Sequence, residues 1–287
     1  MKPLLKWVGG KSKLLDAIFS HVPGEMENYH EPFLGGGSVL FHLLSTRRHT
    51  VRGAVYASDA NPILIGFYLN VQQRPRELIQ HLKELLEVFQ SIAQEKGTQK
   101  PTAEQANSSK ESFYYYTRER FNAIEDKMSV EASSLFFFLN KTCFRGVYRE
   151  GPRGFNVPYG NYKNPSVYEE DEVLRVSELL QGVVFTHAKF EESLSRVKEG
   201  DFVYLDPPYA PEEKNSFVGY TKDGFTLEQH KTLFQMCRAL PCKFLLSNAS
   251  VELVHTEFAG YTITEIEARR AINSKNPEAT TREVLVR

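Results

Sequence analysis

The apolar run Phe202-Val203-Tyr204-Leu205 stops abruptly at Asp206-Pro207-Pro208-Tyr209. Four apolar residues closed by an acid and two prolines predict a buried parallel strand that ends at its carboxyl edge, because proline cannot donate to a sheet ladder. In open α/β sheets, ligands sit at that edge. The chain is therefore expected to build such a sheet, with a carboxylate, the peptide carbonyl after it and an aromatic face at its active edge. Two oxygens can accept both hydrogens of an exocyclic amino group while a flat base stacks on the tyrosine.

Upstream patterns agree with a sheet. Residues 26 to 34 read as a strand leading through Glu31-Pro32-Phe33-Leu34 into the turn Gly35-Gly36-Gly37-Ser38, and Val39, Leu40, Leu43 and Leu44 follow at helical spacing. Ala54-Val55-Tyr56-Ala57 reads as a second strand closing at Asp59, which completes a βαβ unit. Strand-like runs return at 183–186, 202–205 and 243–246, with a helical pattern at 226–239, and Tyr261 to Glu267 and Glu283 to Arg287 read as late strands. Between about residues 70 and 165 the pattern is mostly helical. Leu78, Leu82, Leu85, Leu86, Phe89 and Ile92 share one face of 76–96, residues 97–112 are polar and read as a mobile loop, and 113–140 are helical again. The expected organisation is a sheet domain from 1–69 and 166–287, interrupted by a helical domain at 70–165.

Bulk properties narrow the function. The 287 residues are 41% apolar and carry a formal net charge of −1, so the chain can bury a sizeable core but has no global basic field. A nucleic-acid partner would have to be met by local positive charge. Cys143, Cys237 and Cys242 form no Cys-x-x-Cys pair, which favours buried thiols in a reducing compartment over a disulfide framework or a zinc site. No apolar stretch reaches membrane-spanning length, and a soluble, cytoplasmic protein without metal is expected.

Three further clusters carry chemistry. The glycine turn allows backbone to approach a ligand at a helix N-terminus, although it is neither Gly-x-Gly-x-x-Gly nor a Walker loop, and a plain strand-to-helix turn is the competing reading. Asp59, 24 residues beyond Gly35, raises its weight, since an acid near that spacing can accept ribose hydroxyls; an N-cap before Asn61-Pro62 is the bland alternative for Asp59. Lys6-Trp7-Val8-Gly9-Gly10-Lys11 sets the one tryptophan between lysines, suited to a base or ribose and a carboxylate, or simply to a solvated turn. The loop from Lys141 to Arg153 bears Lys141, Arg145, Arg149 and Arg153 against Glu150, a balance of +3 in 13 residues, with Phe144, Tyr148 and nearby Phe155 interleaved. Cations and aromatics in that mix suit phosphate contacts, base-edge hydrogen bonds and insertion into a base stack.

In this order, Lys-Trp-x-Gly-Gly-Lys, Glu-Pro-Phe-x-Gly-Gly-Gly-Ser, Asp59 and Asp-Pro-Pro-Tyr resemble the Dam-type adenine-N6 DNA methyltransferases (the α-group, D12 class). Leu139-Asn140-Lys141 through Gly154-Phe155-Asn156-Val157-Pro158-Tyr159-Gly160 is similar to that family's recognition segment, and Ala268-Arg269-Arg270-Ala271-Ile272-Asn273-Ser274 to its late motif. The resemblance covers nearly the whole chain. It implies a Rossmann-like S-adenosylmethionine-dependent methyltransferase sheet with an inserted, mostly helical DNA-recognition domain. The implied donor is S-adenosyl-L-methionine, held by Trp7, Lys11, Phe33, Gly35, Gly37, Ser38, Asp59 and Asp206. Asp206, Pro207, Pro208 and Tyr209 would be catalytic, and Lys6, Lys141, Phe144, Arg145, Arg149 and Arg153 would lie on double-stranded DNA. The implied target is a flipped adenine in a short palindrome. Arg145 and Glu150 depart from the pattern of GATC-reading members, so a CATG-like site is as credible as GATC. A monomer from a prokaryotic, phage or viral setting, with or without a separately encoded restriction endonuclease, completes the expectation. RNA and protein-glutamine methyltransferases of similar geometry more often carry asparagine where Asp206 stands. A decayed, non-catalytic binder would not need Trp7, Lys11, Asp59 and Asp206 together, and a dehydrogenase lacks its dinucleotide fingerprint.

Overall fold

Parallel strands dominate the computed structural model of the chain, which describes residues 1–46, 48–163, 165–210, 225–269 and 280–287. In chain order the elements begin with α1 (Leu15–Phe19), β1 (Glu25–Met26), β2 (Tyr29–Glu31), α2 (Ser38–Ser45), β3 (Thr50–Val51) and β4 (Val55–Asp59). Next come α3 (Pro62–Gln73), α4 (Pro75–Ser91), α5 (Lys110–Ala123), α6 (Val130–Thr142), β5 (Glu150–Gly151), β6 (Gly154–Phe155) and α7 (Glu170–Leu179). The last are β7 (Val183–His187), α8 (Phe190–Leu194), β8 (Phe202–Leu205), α9 (Leu227–Ala239), β9 (Lys243–Ala249), α10 (Glu252–Glu257), β10 (Ile263–Arg269) and β11 (Thr280–Val286). They divide into two compact units: one of residues 1–10, 35–41 and 61–181, the other of 11–34, 42–60 and 182–287.

The second unit is the sheet unit. Its seven strands run in the order β10-β11-β9-β8-β2-β4-β7. The pairings β2–β4, β2–β8, β4–β7 and β8–β9 are parallel, and β11 runs antiparallel to both β9 and β10. All four residues of β8 are buried, as expected of an unbroken apolar strand at the centre of a parallel sheet. Val203 and Leu205 of β8, Phe244 and Leu246 of β9, and Val284 and Val286 of β11 turn one face toward Leu233, Phe234 and Cys237 of α9 and toward Val254 and Phe258. A capping box at Thr226 and Gln229 starts α9.

At the amino ends of the central strands, Asp201 gathers four bonds. His30 Nε2 lies 2.9 Å from Oδ2, the Lys198 amide donates to the same oxygen at 2.9 Å, and Asn28 donates its amide (3.2 Å) and its Nδ2 (2.7 Å) to Oδ1. Asn28 Oδ1 in turn accepts the Ala54 amide at 2.8 Å. One buried carboxylate thus ties the starts of β2, β4 and β8.

The first unit is helical. Phe67 of α3, Phe89 of α4, Phe113 and Phe121 of α5, and Phe136, Phe137 and Phe138 of α6 form its aromatic core, with ring centroids 5.1–6.3 Å apart. Asn61 caps α3 by accepting the Ile63 amide at 3.0 Å, so the cap belongs to Asn61 and not to Asp59. The α4 stripe is as the periodicity predicts, with Leu78, Leu82, Leu85 and Phe89 buried. Residues 97–112 depart from the expected loop. The Lys110 and Glu111 amides donate to the Gln94 and Glu95 carbonyls (2.8 and 3.0 Å), the Ser109 and Ser112 side chains are buried and bonded, and α5 begins at Lys110. Serine-to-backbone bonds hold this stretch, and such bonds leave no apolar period to read.

Candidate active site

The sheet order reverses at β2. From β2 the chain moves outward through β4 to β7, then returns to β8 on the other side. Glu31, Asp59 and Asp206 therefore close, or directly follow, three adjacent parallel strands at their carboxyl edge, beside the switch point between β2 and β8. Asp206 is the first residue past β8. Its Oδ1 lies 2.8 Å from Lys11 Nζ, and that lysine is almost wholly buried. Burial pushes the Asp206 carboxyl above the ordinary range, the Lys11 ammonium opposes the rise, and nearby Glu283 adds to it.

Behind Asp206, the backbone of the tetrapeptide is fixed rather than free. Pro207 is buried and Pro208 exposed. The Ala210 amide donates to Asn248 Oδ1 at 3.0 Å, and the Tyr209 hydroxyl donates to Glu283 Oε2 at 2.6 Å. Lys11 Nζ also sits 4.9 Å from the centre of the Tyr209 ring, so one ammonium touches both the carboxylate and the aromatic face. Beneath them Tyr204 and Ser247 share a buried hydroxyl bond of 2.9 Å. On β2, Glu31 accepts the Tyr29 hydroxyl at 2.7 Å, and Phe33 stacks on Phe190 at 5.7 Å. The Asp59 carbonyl takes the Ala188 amide at 3.2 Å, and the residue is half-buried at the strand end.

In the helical unit, Trp7 lies against the glycine turn. Gly35 has φ +50°, and a Cβ there would meet the indole at 3.0 Å; one on Gly36 would stand 2.8 Å from the Trp7 Cβ. The turn is glycine because the tryptophan occupies the space a side chain would need. Tyr148 stacks on the indole at 5.3 Å. Ser38, at the start of α2, is buried.

The basic loop folds back on itself. The Phe144 amide donates to the Pro158 carbonyl and the Gly160 amide to the Thr142 carbonyl, each at 2.9 Å, and β5 and β6 pair at its tip. Phe144 is 49% exposed, an unusual position for a large apolar ring, and the Arg145 guanidinium lies 5.3 Å from its centre. Arg145 adopts φ +57°, the left-handed region that non-glycine residues avoid, and Tyr162 accepts its amide at 2.8 Å. Arg149 is aimed by Asn156, whose Oδ1 accepts Nε at 2.6 Å and whose carbonyl accepts Nη2 at 3.3 Å. Arg153 is exposed at the tip. Lys6 is exposed, its backbone is gripped at both ends by Asn140 (2.8 Å each way), and its Nζ stands 4.9 Å from the Tyr162 ring. Lys141 packs its ammonium 5.5 Å from the Phe137 ring, and burial with Lys6 nearby lowers its pKa.

Each unit thus assembles its own share of the expected residues: Lys11, Asp206 and Tyr209 in one, Trp7 with the glycine turn and Lys6 with the basic loop in the other. Of the late motif, Ala268 and Arg269 end β10, and residues 270–274 lie outside the described residues. Sequence reasoning missed Glu283, Asn248 and Tyr162 and gave Asn140 and Asn156 no role. Among the described residues no group of three or more His, Cys, Asp or Glu side chains converges as a metal site would require, and no helix is long and apolar enough to cross a membrane.

Comparison with known families places the chain. The family model described as "D12 class N6 adenine-specific DNA methyltransferase" matches residues 7–272. The chain belongs to that family. It is a methyltransferase of DNA adenine. It is 37% identical to "Type II methyltransferase M.MjaIII" of Methanocaldococcus jannaschii, covering 96% of this chain and 94% of that protein. It is 32% identical to "Type II methyltransferase M1.LlaDCHI" of Lactococcus lactis subsp. cremoris (96% and 91%) and 32% identical to "DNA adenine methylase" of Escherichia coli (95% and 90%). As a D12-class enzyme it has the mixed α/β fold and mostly parallel sheet of a methyltransferase.

Proposed function

We propose that the enzyme transfers a methyl group from S-adenosyl-L-methionine to N6 of an adenine rotated out of duplex DNA, within a short palindrome of the GATC or CATG kind. The observation that carries this reading is the 2.8 Å pairing of Lys11 with Asp206 at the switch point of the sheet, one strand away from the end of β2. The residues present fit the donor: Asp59 offers a half-buried carboxylate to ribose hydroxyls at a strand end, and the glycine turn carries an indole directly on its backbone. S-adenosylmethionine, when bound, supplies a methyl group on a cationic sulfur.

The chain's own residues do the remaining work. The lone pair of an aromatic amine is spread into the ring, which makes it a poor nucleophile. The Asp206 carboxylate and the Pro207 carbonyl each accept one amine hydrogen, which draws the lone pair back onto nitrogen and fixes its direction. Lys11, 2.8 Å from Oδ1, favours the ionised carboxylate that such an acceptor must be. Tyr209 gives the base a face to stack on. Because N6 is hidden in a duplex, the base must leave the stack. Exposed Phe144, with Arg145 against it, suits the space left behind, while Lys6, Lys141 and Arg153 suit phosphates and Arg149, held by Asn156, a base edge.

Residues 70–165, which hold α4, α5, α6 and the basic loop, would then be the target-recognition domain, and 1–69 with 166–287 the methyltransferase domain. The enzyme acts as a monomer on one strand at a time. Two of the relatives are named as type II methyltransferases, which favours a modification partner to a separately encoded restriction endonuclease.

The test is direct. Unmodified DNA is incubated with the enzyme and labelled S-adenosylmethionine, and modified adenines are mapped by sequencing. Asp206→Ala should abolish transfer while DNA binding persists. Full turnover by that variant would reject the assignment of Asp206, and label on cytosine or RNA would reject the substrate.

A further inference from the structure

We propose that Glu283, on β11, is a positioning residue that holds the Tyr209 ring in the orientation needed to stack on the target base. The inference rests on the reading of Asp206 and Tyr209 given above and adds to it a residue 74 positions farther along the chain.

Three observations converge. The Tyr209 hydroxyl donates to Glu283 Oε2 at 2.6 Å, a short, charge-assisted bond of the strong kind. The same ring lies 4.9 Å from Lys11 Nζ, and that ammonium contacts Asp206 at 2.8 Å, so a rotation of the ring would disturb the lysine that the carboxylate relies on. Asn248, on the neighbouring strand β9, holds the Ala210 amide at 3.0 Å. The peptide after Tyr209 is thus pinned from β9, and the far end of its side chain is pinned from β11.

Glu283 is suited to this by its place in the strand. Val284 and Val286 face the apolar cluster under α9, and Glu283 alternates to the opposite face, paired in register with Ala249. A hydrogen bond at the tip of a tyrosine fixes χ1, and the Lys11 ammonium over the ring face restrains its turn about the ring axis. Burial first, then the Asp206 and Glu283 charges, push the phenol pKa far up, so the hydroxyl remains a donor at any working pH. A ring held at both ends can receive an extruded purine without first choosing an orientation, which is the usual route by which a remote contact raises a chemical rate.

The experiment uses the full chain with duplex DNA and S-adenosylmethionine. Single-turnover methylation, KM for DNA, fluorescence of 2-aminopurine at the target position and melting temperature are measured for E283L, E283Q, Y209F, Y209F/E283L and D206A. E283L should slow methylation by about tenfold at little change in KM. E283Q, whose amide oxygen still accepts the hydroxyl, should recover most of the rate. Y209F should match E283L, and the double variant should be no slower than either single one, since all three lose the same bond. A full rate for E283L, or multiplied losses in the double variant, overturns the proposal; so does E283Q as slow as E283L. Should E283L fail to fold, Y209F decides, because a full rate without the hydroxyl also overturns it. Retained turnover by D206A would instead bring down the reading of Asp206, whereas an inactive D206A beside a fully active E283L brings down this inference alone.

Discussion

Lys11 places an ammonium where its side chain is 5% exposed, and the Asp206 carboxylate at 2.8 Å makes that tolerable. Breaking a buried pair strands the surviving charge, which typically costs about 3–5 kcal/mol. Lys11→Met should therefore destabilise the protein by about 3 kcal/mol at pH 8. The sign with pH follows from Asp206. Its folded pKa already lies above 3.8, and Lys11 is the group that restrains it, so the variant's folded pKa rises further. The folded variant then takes up a proton that its unfolded chain does not, and the deficit shrinks as pH falls through that raised value. Urea unfolding at pH 8 and pH 5 checks this, and an equal deficit at both would contradict it. The Asp-Pro-Pro-Tyr run was legible because an apolar strand with an acidic, proline-closed end has few other uses. Lys11 was marked as a residue that could meet a carboxylate, but its pairing with Asp206 was not legible, since nothing in Gly9-Gly10-Lys11 reveals that its lysine is buried.

The elements that carry this edge are tied together at their opposite ends by Asp201, and the tie is sensitive to acid. Burial would raise the Asp201 pKa, but the Lys198 amide, Asn28 and His30 outweigh it and hold the value below 3.8. A carboxylate with a depressed folded pKa contributes stability above its unfolded value and loses it as pH falls through the folded one. His30 adds an earlier window. Burial lowers its pKa below 6.5, with Asp201 opposing, so the folded state begins to lose stability as pH drops below 6.5. Asp201→Asn should cost about 1–3 kcal/mol at pH 7 and flatten the loss below pH 4, as thermal melts followed by circular dichroism across pH 3–8 would show. Strands β2, β4 and β8 and the stripe of α4 could be read from period and from closing residues. The packing of 97–112 could not, because side-chain hydroxyls bonded to nearby backbone leave a sequence that looks only polar. Nor could the β9–β11 pairing that brings Glu283 to Tyr209, since the two are 74 residues apart and no local pattern records such a meeting.

Taken whole, the molecule carries a formal charge of −1, yet its expected partner is a polyanion. In the proposed interface the attraction comes from Lys6, Lys141, Arg145, Arg149 and Arg153, some of which read bases rather than phosphates. Each phosphate neutralised contributes roughly −0.9 to the slope of log K against log salt, so these five side chains allow a slope of about −2 to −4. Fluorescence anisotropy of labelled duplex over a salt series measures it, and a slope steeper than about −5 would demand cations beyond these five. The order of the strands has a consequence of another kind. β11 comes after β10 in sequence but lies between β10 and β9 in space. Among the described residues β10 pairs with β11 alone, and β11 is also what joins it to β9. Loss of residues 280–286 would thus remove two strands from the sheet rather than one, and bare the edge of β9.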